Sequence, residues 1–247
     1  MNKLNINDFK KVKDYLIIEN EESKVVFSTA EENRSFNRHT DDGIENLMSI
    51  KKDFNVNHVS YLKQIHSDKI LIINEENIDN INESEGDAII TNLKNIAIGV
   101  FTADCVPIIL VDEKREVSAA IHSGWKGTFS SITLKTIKKL QEIYGSNLQD
   151  IKAYIGAHIR QCCYEVSEEL KEKFIEEKED IDKDLLFKGR NLSMEECILK
   201  NLRDSGIREE NIYSLPLCTH CSKEIKLYSY RKSKGLYGRM FSFVILN

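Results

Sequence analysis

Ile98-Gly99-Val100-Phe101-Thr102-Ala103-Asp104-Cys105-Val106-Pro107-Ile108-Ile109-Leu110-Val111 opens a stretch that turns through residues 112–116 into Val117-Ser118-Ala119-Ala120-Ile121, then leaves through His122-Ser123-Gly124-Trp125-Lys126-Gly127-Thr128. Short β-branched and aromatic runs bounded by polar or glycine-containing clusters predict three strands here. Adjacent strands lie about 4.8 Å apart. A hairpin of residues 106–111 with 117–121 therefore brings the start of one strand beside the end of the next, and Cys105 and His122 are expected at one corner of a sheet. That corner is the candidate active site.

The 247-residue chain is 41% hydrophobic, enough to bury a full core, and one domain over residues 1–247 is expected. Its net charge of -5 is spread over interleaved acids and bases with no basic, aromatic stripe, so no nucleic-acid partner is expected, and small neutral or anionic substrates stay open. The first residues lack the charged-then-apolar order of a leader, and no run approaches the ~20 apolar residues needed to span a bilayer. These features predict a cytoplasmic protein with no membrane partner. Six cysteines in that setting suit thiols or metal ligands better than a disulfide framework.

Working outward, residues 15–18 and 25–28 read as an opening hairpin, and Thr40 caps a helix carrying Ile44, Leu47, Met48 and Phe54. The segment before it, residues 34–39, reads as polar loop. Residues 59–62 and 70–73 read as strands flanking His66. The acidic, asparagine-rich residues 74–86 read as a solvated loop long enough to act as a flap. Residues 128–144 read as one helix stopped by Gly145, residues 167–177 and 193–205 as helices capped by Ser167 and Ser193, and residues 151–155, 212–217 and 240–246 as strands. Strand groups separated by single helices predict an α+β fold, a layered sandwich of mixed β-sheets flanked by helices.

Catalytic zinc sites commonly take three ligands from histidine, cysteine and carboxylate, leaving the fourth position for water. His66, Cys105 and His122 supply such a set, each at a strand-to-loop junction. Their spacing is not that of a zinc finger, and a loop histidine is more often solvated and a cysteine beside an apolar strand more often a small core residue. Both readings stand on pattern alone. In the Ser123, Gly124, Lys126 loop, two glycines permit close backbone approach, and a helix starting near Thr128 would aim N–H groups at an anion such as phosphate. A tight strand-to-helix turn with a solvated lysine fits equally well. Arg231 and Arg239, in the basic segment 231–239, could close over the same anion or form a surface turn. Cys218-Thr219-His220-Cys221 has the C-x-x-C spacing of redox and zinc sites. A structural zinc there would need Cys162, Cys163 or a histidine, and buried thiols are the default for that adjacent pair.

Gln64-Ile65-His66, Gly86-Asp87-Ala88, Thr102-Ala103-Asp104-Cys105-Val106-Pro107, residues 120–128, Cys163-Tyr164-Glu165-Val166, Cys218-Thr219, Tyr228-Ser229-Tyr230-Arg231 and Gly238-Arg239-Met240 occur in this order. With Ser35-Phe36-Asn37 near the start, this set resembles the YfiH/YlmD family of laccase-domain, FAMIN-like proteins over nearly the whole chain. The resemblance implies a single α+β domain, zinc on His66, Cys105 and His122, and action on purine nucleosides: phosphorolysis of adenosine, inosine and methylthioadenosine, with adenosine deamination. The segment Gly156-Ala157-His158-Ile159-Arg160-Gln161 departs from the family's glycine- and proline-richer pattern, which bears on substrate preference. For that chemistry metal-activated water would attack C6 while Asp104 manages protons, and Lys126, Arg231 or Arg239 would offset negative charge during phosphorolysis.

The family's older label, polyphenol oxidase, implies copper. A multicopper oxidase uses roughly ten histidine ligands, several in His-x-His pairs; six histidines with no such pair exclude a trinuclear cluster, leaving a single copper at the same three ligands. A further alternative makes Cys105 a nucleophile activated by His122 in a hydrolase of amides or peptidoglycan precursors. A non-enzymatic binding module is the last.

Overall fold

In the computed structural model, which describes residues 1–235 and 238–247, the chain begins with β1 (Asn2–Lys3), β2 (Lys10–Val12), β3 (Tyr15–Glu19), β4 (Ser23–Ser28), α1 (Asp41–Phe54), β5 (His58–Ser60), β6 (Ile70–Ile73) and β7 (Ala88–Thr91). The central stretch forms β8 (Ile96–Thr102), β9 (Val106–Asp112), β10 (Val117–Ser123), α2 (Trp125–Phe129) and α3 (Ile132–Tyr144). There follow β11 (Lys152–Ile155), α4 (Glu168–Glu177), α5 (Lys183–Leu186), β12 (Phe187–Lys188), β13 (Asn191–Leu192), α6 (Met194–Asp204), β14 (Ile212–Ser214), α7 (Tyr230–Ser233) and β15 (Met240–Leu246).

Alternation along the central strands sets the layers. On β9, Val106, Ile108 and Leu110 face one way and Ile109 and Val111 the other; β10 alternates likewise with Val117, Ala119 and Ile121 against Ala120. The first set packs with Ile137 and Leu140 of α3 and Ile198 and Leu202 of α6. The second meets Ile98 and Val100 of β8 and Val244 of β15 across the interior. The outer face of β8 and β15, with Phe101, Phe241 and Phe243, is covered by Leu47 and Ile50 of α1. The order of layers is thus helix, sheet, sheet, helices, an α+β sandwich as the sequence predicts. One sheet runs β1-β14-β11-β9-β10-β7-β6 and the other β2-β3-β4-β15-β8-β5, and both mix parallel and antiparallel pairs.

The pairing of β9 with β10 sets Pro107 opposite His122 and Val106 opposite Ser123, so Cys105 and Gly124 leave the sheet side by side. The strand β8, in contrast, belongs to the other sheet. Residues 103–105 carry the chain from one sheet to the other, which is why a cysteine there stands at a rim rather than in a core.

Several local expectations change. The helix expected from Thr128 starts at Trp125 and is split, because Ser131 takes a left-handed φ of 56° and divides α2 from α3. The strand expected over residues 212–217 stops at Ser214; Leu215 still donates to Ile155, but Pro216 has no N–H to continue the ladder. The polar segment 34–39 is anchored by fully buried Phe36. Residues 74–86 are not wholly solvated: they hold a 3-10 turn with buried Ile81, and Asn82 accepts from the Tyr61 N–H. Cys162 is exposed and Cys163 half-buried, against the expected buried pair, because residues 160–163 form a surface turn. Leu236 and Tyr237 of the basic segment 231–239 lie outside the described residues.

Candidate active site and metal centre

Three potential ligand side chains converge, His66 from the loop between β5 and β6, Cys105 from the crossing just before β9 and His122 from the end of β10. The ligand atoms of His66, Cys105 and His122 all lie within 4.8 Å of one another, with Cys105 Sγ 3.8 Å from His66 Nε2. The two imidazoles meet edge to face, 4.8 Å between centroids. His66 and Asp104 hold φ values of 57° and 106°, backbone conformations that non-glycine residues rarely adopt. Behind the ligands lies Gly124, where an added Cβ would come within 3.0 Å of the His66 ring and 3.1 Å of Cys105 Sγ.

Asp87 orients the group. Its Oδ1 lies 2.9 Å from His122 Nδ1 and accepts the backbone N–H of His66 at 3.0 Å, while Oδ2 accepts the Ser67 backbone N–H and hydroxyl. Occupying Nδ1 leaves Nε2 of His122 for the cavity. Burial alone would discharge both Cys105 and His122, but each holds the other charged. The neighbouring imidazolium and hydrogen bonds from both histidines bring the thiol down to about 6; the thiolate and Asp87 bring the imidazole up to about 9. Two nitrogens and one sulfur, with a carboxylate behind a histidine, are the donor mix of an open zinc site, so these residues fit a metal. Copper accepts the same donors.

The group opens into a cavity of about 570 Å³. Phe101, Trp125, Tyr164, Tyr230, Ile159 and Met194 supply aromatic and apolar walls, and Arg38, Arg231 and Arg239 bring guanidinium groups. Asp104 lines it too: Oδ1 accepts from Thr219 Oγ1 at 2.6 Å and Oδ2 from the Arg231 backbone N–H at 2.7 Å, so it ties α7 to the site. Arg231 donates to the Glu165 carbonyl at 3.1 Å and lies over the Tyr164 ring.

Of the residues singled out in the sequence, His66, Asp104, Cys105, His122, Arg231 and Arg239 share this cavity, whereas Ser123, Gly124 and Lys126 are not among its lining. Ser123 is buried with its hydroxyl 2.8 Å from that of Thr128, and Lys126 sits on α2 with Nζ 5.6 Å from the Trp125 ring centroid. Sequence reasoning assigned no role to Asp87, Tyr164 or the wall of Asn37, Arg38 and His39. A lone aspartate opening the buried strand β7 is a signal for the first, since an unpaired buried carboxylate is costly. Tyr164 and Asn37 stand in motifs shared with the family, a signal for both, whereas Arg38 and His39 come from a segment that local pattern marks only as loop.

The sequence model of the family described as multi-copper polyphenol oxidoreductase laccase matches residues 22–247. A protein named purine nucleoside phosphorylase from Clostridium acetobutylicum is 45% identical over 241 residues, 96% of this chain and 99% of that protein. A protein named adenosine deaminase RL5, from an unknown prokaryotic organism, is 38% identical over 118 residues, 45% of each chain. Among solved structures, a hypothetical protein YfiH from Bacillus licheniformis superposes with a TM-score of 0.89 at 25% identity, over 98% of this chain and 100% of its own. Family model, near-full-length relative and shared fold agree: the chain belongs to the laccase-domain family to which YfiH and YlmD belong.

Proposed function

We propose that this chain is a zinc-dependent purine nucleoside phosphorylase, acting on adenosine, inosine and methylthioadenosine, with adenosine deaminase activity at the same site. The observation that carries the reading is one cavity of about 570 Å³ whose lining combines the His66, Cys105 and His122 donor set with three arginines and several aromatic side chains. The names of the relatives from Clostridium acetobutylicum and of RL5 support its two activities. Nucleoside and phosphate are then the partners, and a cytoplasmic enzyme follows from that supply of substrates. Among the described residues no helix is long and apolar enough to cross a membrane.

When bound at these ligands, zinc supplies Lewis acidity and a lowered pKa for water. The remaining steps fall to the chain itself. Trp125, Tyr164 and Tyr230 offer flat, largely apolar faces to a purine ring. Arg231, braced by Glu165 and Tyr164, and Arg239 attract phosphate and offset charge on the departing base. Each oxygen of the Asp104 side chain accepts one hydrogen bond, from Thr219 and from the Arg231 N–H, and has a second lone pair with which to accept one from the substrate.

The test is turnover of adenosine by zinc-replete protein with and without phosphate. Free adenine and ribose 1-phosphate are expected only with phosphate, inosine in both cases, and none of the three from His122→Ala. Base release that ignores phosphate, or no turnover at all, would overturn the reading. A second reading, a cysteine hydrolase, is favoured by one observation, the placing of Cys105 Sγ within 4.8 Å of a ligand nitrogen of His122, whose imidazole, against burial, lowers the thiol's pKa. It requires turnover of an amide by metal-free protein, which zinc would inhibit.

A further inference from the structure

A second group of potential ligands lies outside the lining of the cavity, where the loop after β11 meets the loop after β14. The ligand atoms of Cys162, Cys163, Cys218 and Cys221 all lie within 4.8 Å of one another, and Cys162 Sγ is 3.6 Å from Cys221 Sγ. Sulfurs around one tetrahedral zinc, at about 2.3 Å from the ion, stand about 3.8 Å apart. Oxidised sulfurs would stand at about 2.05 Å, so the four are free thiols at a spacing that admits a single ion among them. The Cys218 sulfur faces the backbone N–H groups of Arg160, His220 and Cys221, which disperse negative charge on a thiolate.

We propose that Cys162, Cys163, Cys218 and Cys221 form a separate, all-thiolate structural zinc site that clamps these two loops together. Four thiols and one zinc ion give a tetrathiolate complex of net charge 2-, with up to four protons released to solvent, so no oxidant or reductant takes part. Such a closed site has no open position for water and works by holding structure. The loops it joins already touch through Thr219 N–H donating to His158 O at 3.0 Å and through the bridge of His158 with Cys218. Beside the cluster in sequence are Tyr164, next to Cys163, which lines the cavity and lies under Arg231, and buried Thr219, next to Cys218, which donates to the lining residue Asp104. The clamp therefore fixes one wall of the cavity without contributing a ligand to it.

The test is zinc content by mass spectrometry in freshly purified, reduced protein. Wild type is expected to hold about two zinc ions per chain, and Cys105→Ser/His122→Ala about one. Cobalt exchanged into that variant should give the strong thiolate-to-cobalt charge transfer and intense d–d bands of a tetrahedral tetrathiolate. Cys162→Ser/Cys221→Ser, which alters two exposed side chains, should lose that ion and leave the one on His66, Cys105 and His122. Should this variant fail to fold, wild type answers alone, because chelation should expose five further thiols to a thiol reagent, those of Cys105 and the four-cysteine group, against Cys105 alone if the four-cysteine group holds no ion. Zinc-free Cys105→Ser/His122→Ala protein, a cobalt spectrum without thiolate charge transfer, or a Cys162–Cys221 disulfide in the fresh protein would overturn the proposal.

Discussion

His122 Nδ1 lies 2.9 Å from Oδ1 of Asp87, and both side chains are buried. The same carboxylate carries the backbone N–H groups of His66 and Ser67, so one residue sets the position of one ligand and the ring orientation of another. Asp87→Asn keeps the shape but removes the charge. It is expected to lower zinc affinity about 10- to 100-fold and to cost about 1.5–3 kcal/mol of stability through a weakened charged hydrogen bond. Competitive zinc titration and denaturant unfolding check the two effects; unchanged zinc affinity would leave Asp87 with a purely structural role.

At Gly124 a methyl group would stand 3.0 Å from the His66 ring and 3.1 Å from Cys105 Sγ. Its φ of -76° suits any residue, so Gly124→Ala adds no backbone strain and acts only through this crowding. The expected result is zinc bound about tenfold more weakly with the melting temperature of the metal-free protein close to wild type. A large loss of metal-free stability would instead point to a failure of the β10 to α2 turn.

The site divides into a part that local pattern reveals and a part that depends on distant pairing. Cys105 and His122 lie on adjacent ends of one hairpin, and alternation in residues 106–111 and 117–121 is enough to bring them together. Family motifs bring in His66. What local pattern lacks is that β8 pairs with β15 from the far end of the chain, which sends residues 103–105 across between sheets. Nor does a polar segment such as residues 34–39 disclose that one buried phenylalanine, Phe36, pins Asn37, Arg38 and His39 beside the cavity. The break at Ser131 is equally silent, since Ile132 and Thr136 continue a helical pattern that the left-handed φ interrupts.

Metal affinity carries a pH signature. A ligand set needs Cys105 as thiolate and His122 neutral. With the thiol lowered to about 6 it is already deprotonated at neutral pH, whereas the imidazole, raised to about 9, is still protonated. Between about pH 6 and 9 zinc binding should release one proton from this pair, so affinity rises about tenfold per pH unit, levels off above 9 and falls more steeply below 6. Competition against a chelator of known pH dependence measures the slope. A flat profile from pH 6 to 9 would mean that His122 is neutral before the metal arrives. In metal-free protein the same shift predicts that alkylation of Cys105 by iodoacetamide reaches half its maximal rate near pH 6 rather than 9.

Asp104 and Arg231 provide the sharpest division between binding and chemistry. The carboxylate takes the Arg231 backbone N–H at 2.7 Å and the Thr219 hydroxyl at 2.6 Å, while the guanidinium is braced separately on Glu165 and Tyr164. Arg231→Met removes the cation but keeps an unbranched apolar stem, and should raise the KM for phosphate about tenfold or more through loss of a charged hydrogen bond. Deamination, which uses no phosphate, should change much less. Asp104→Asn removes the negative charge, and its carbonyl can stay on the Arg231 N–H only if the amide N–H turns to the Thr219 hydroxyl, which must then accept instead of donate. Its effect should therefore appear in both reactions, in kcat as well as KM. If Arg231→Met lowers deamination as much as phosphorolysis, the guanidinium acts on the nucleoside rather than on phosphate, and the phosphate site must be sought at Arg38 or Arg239.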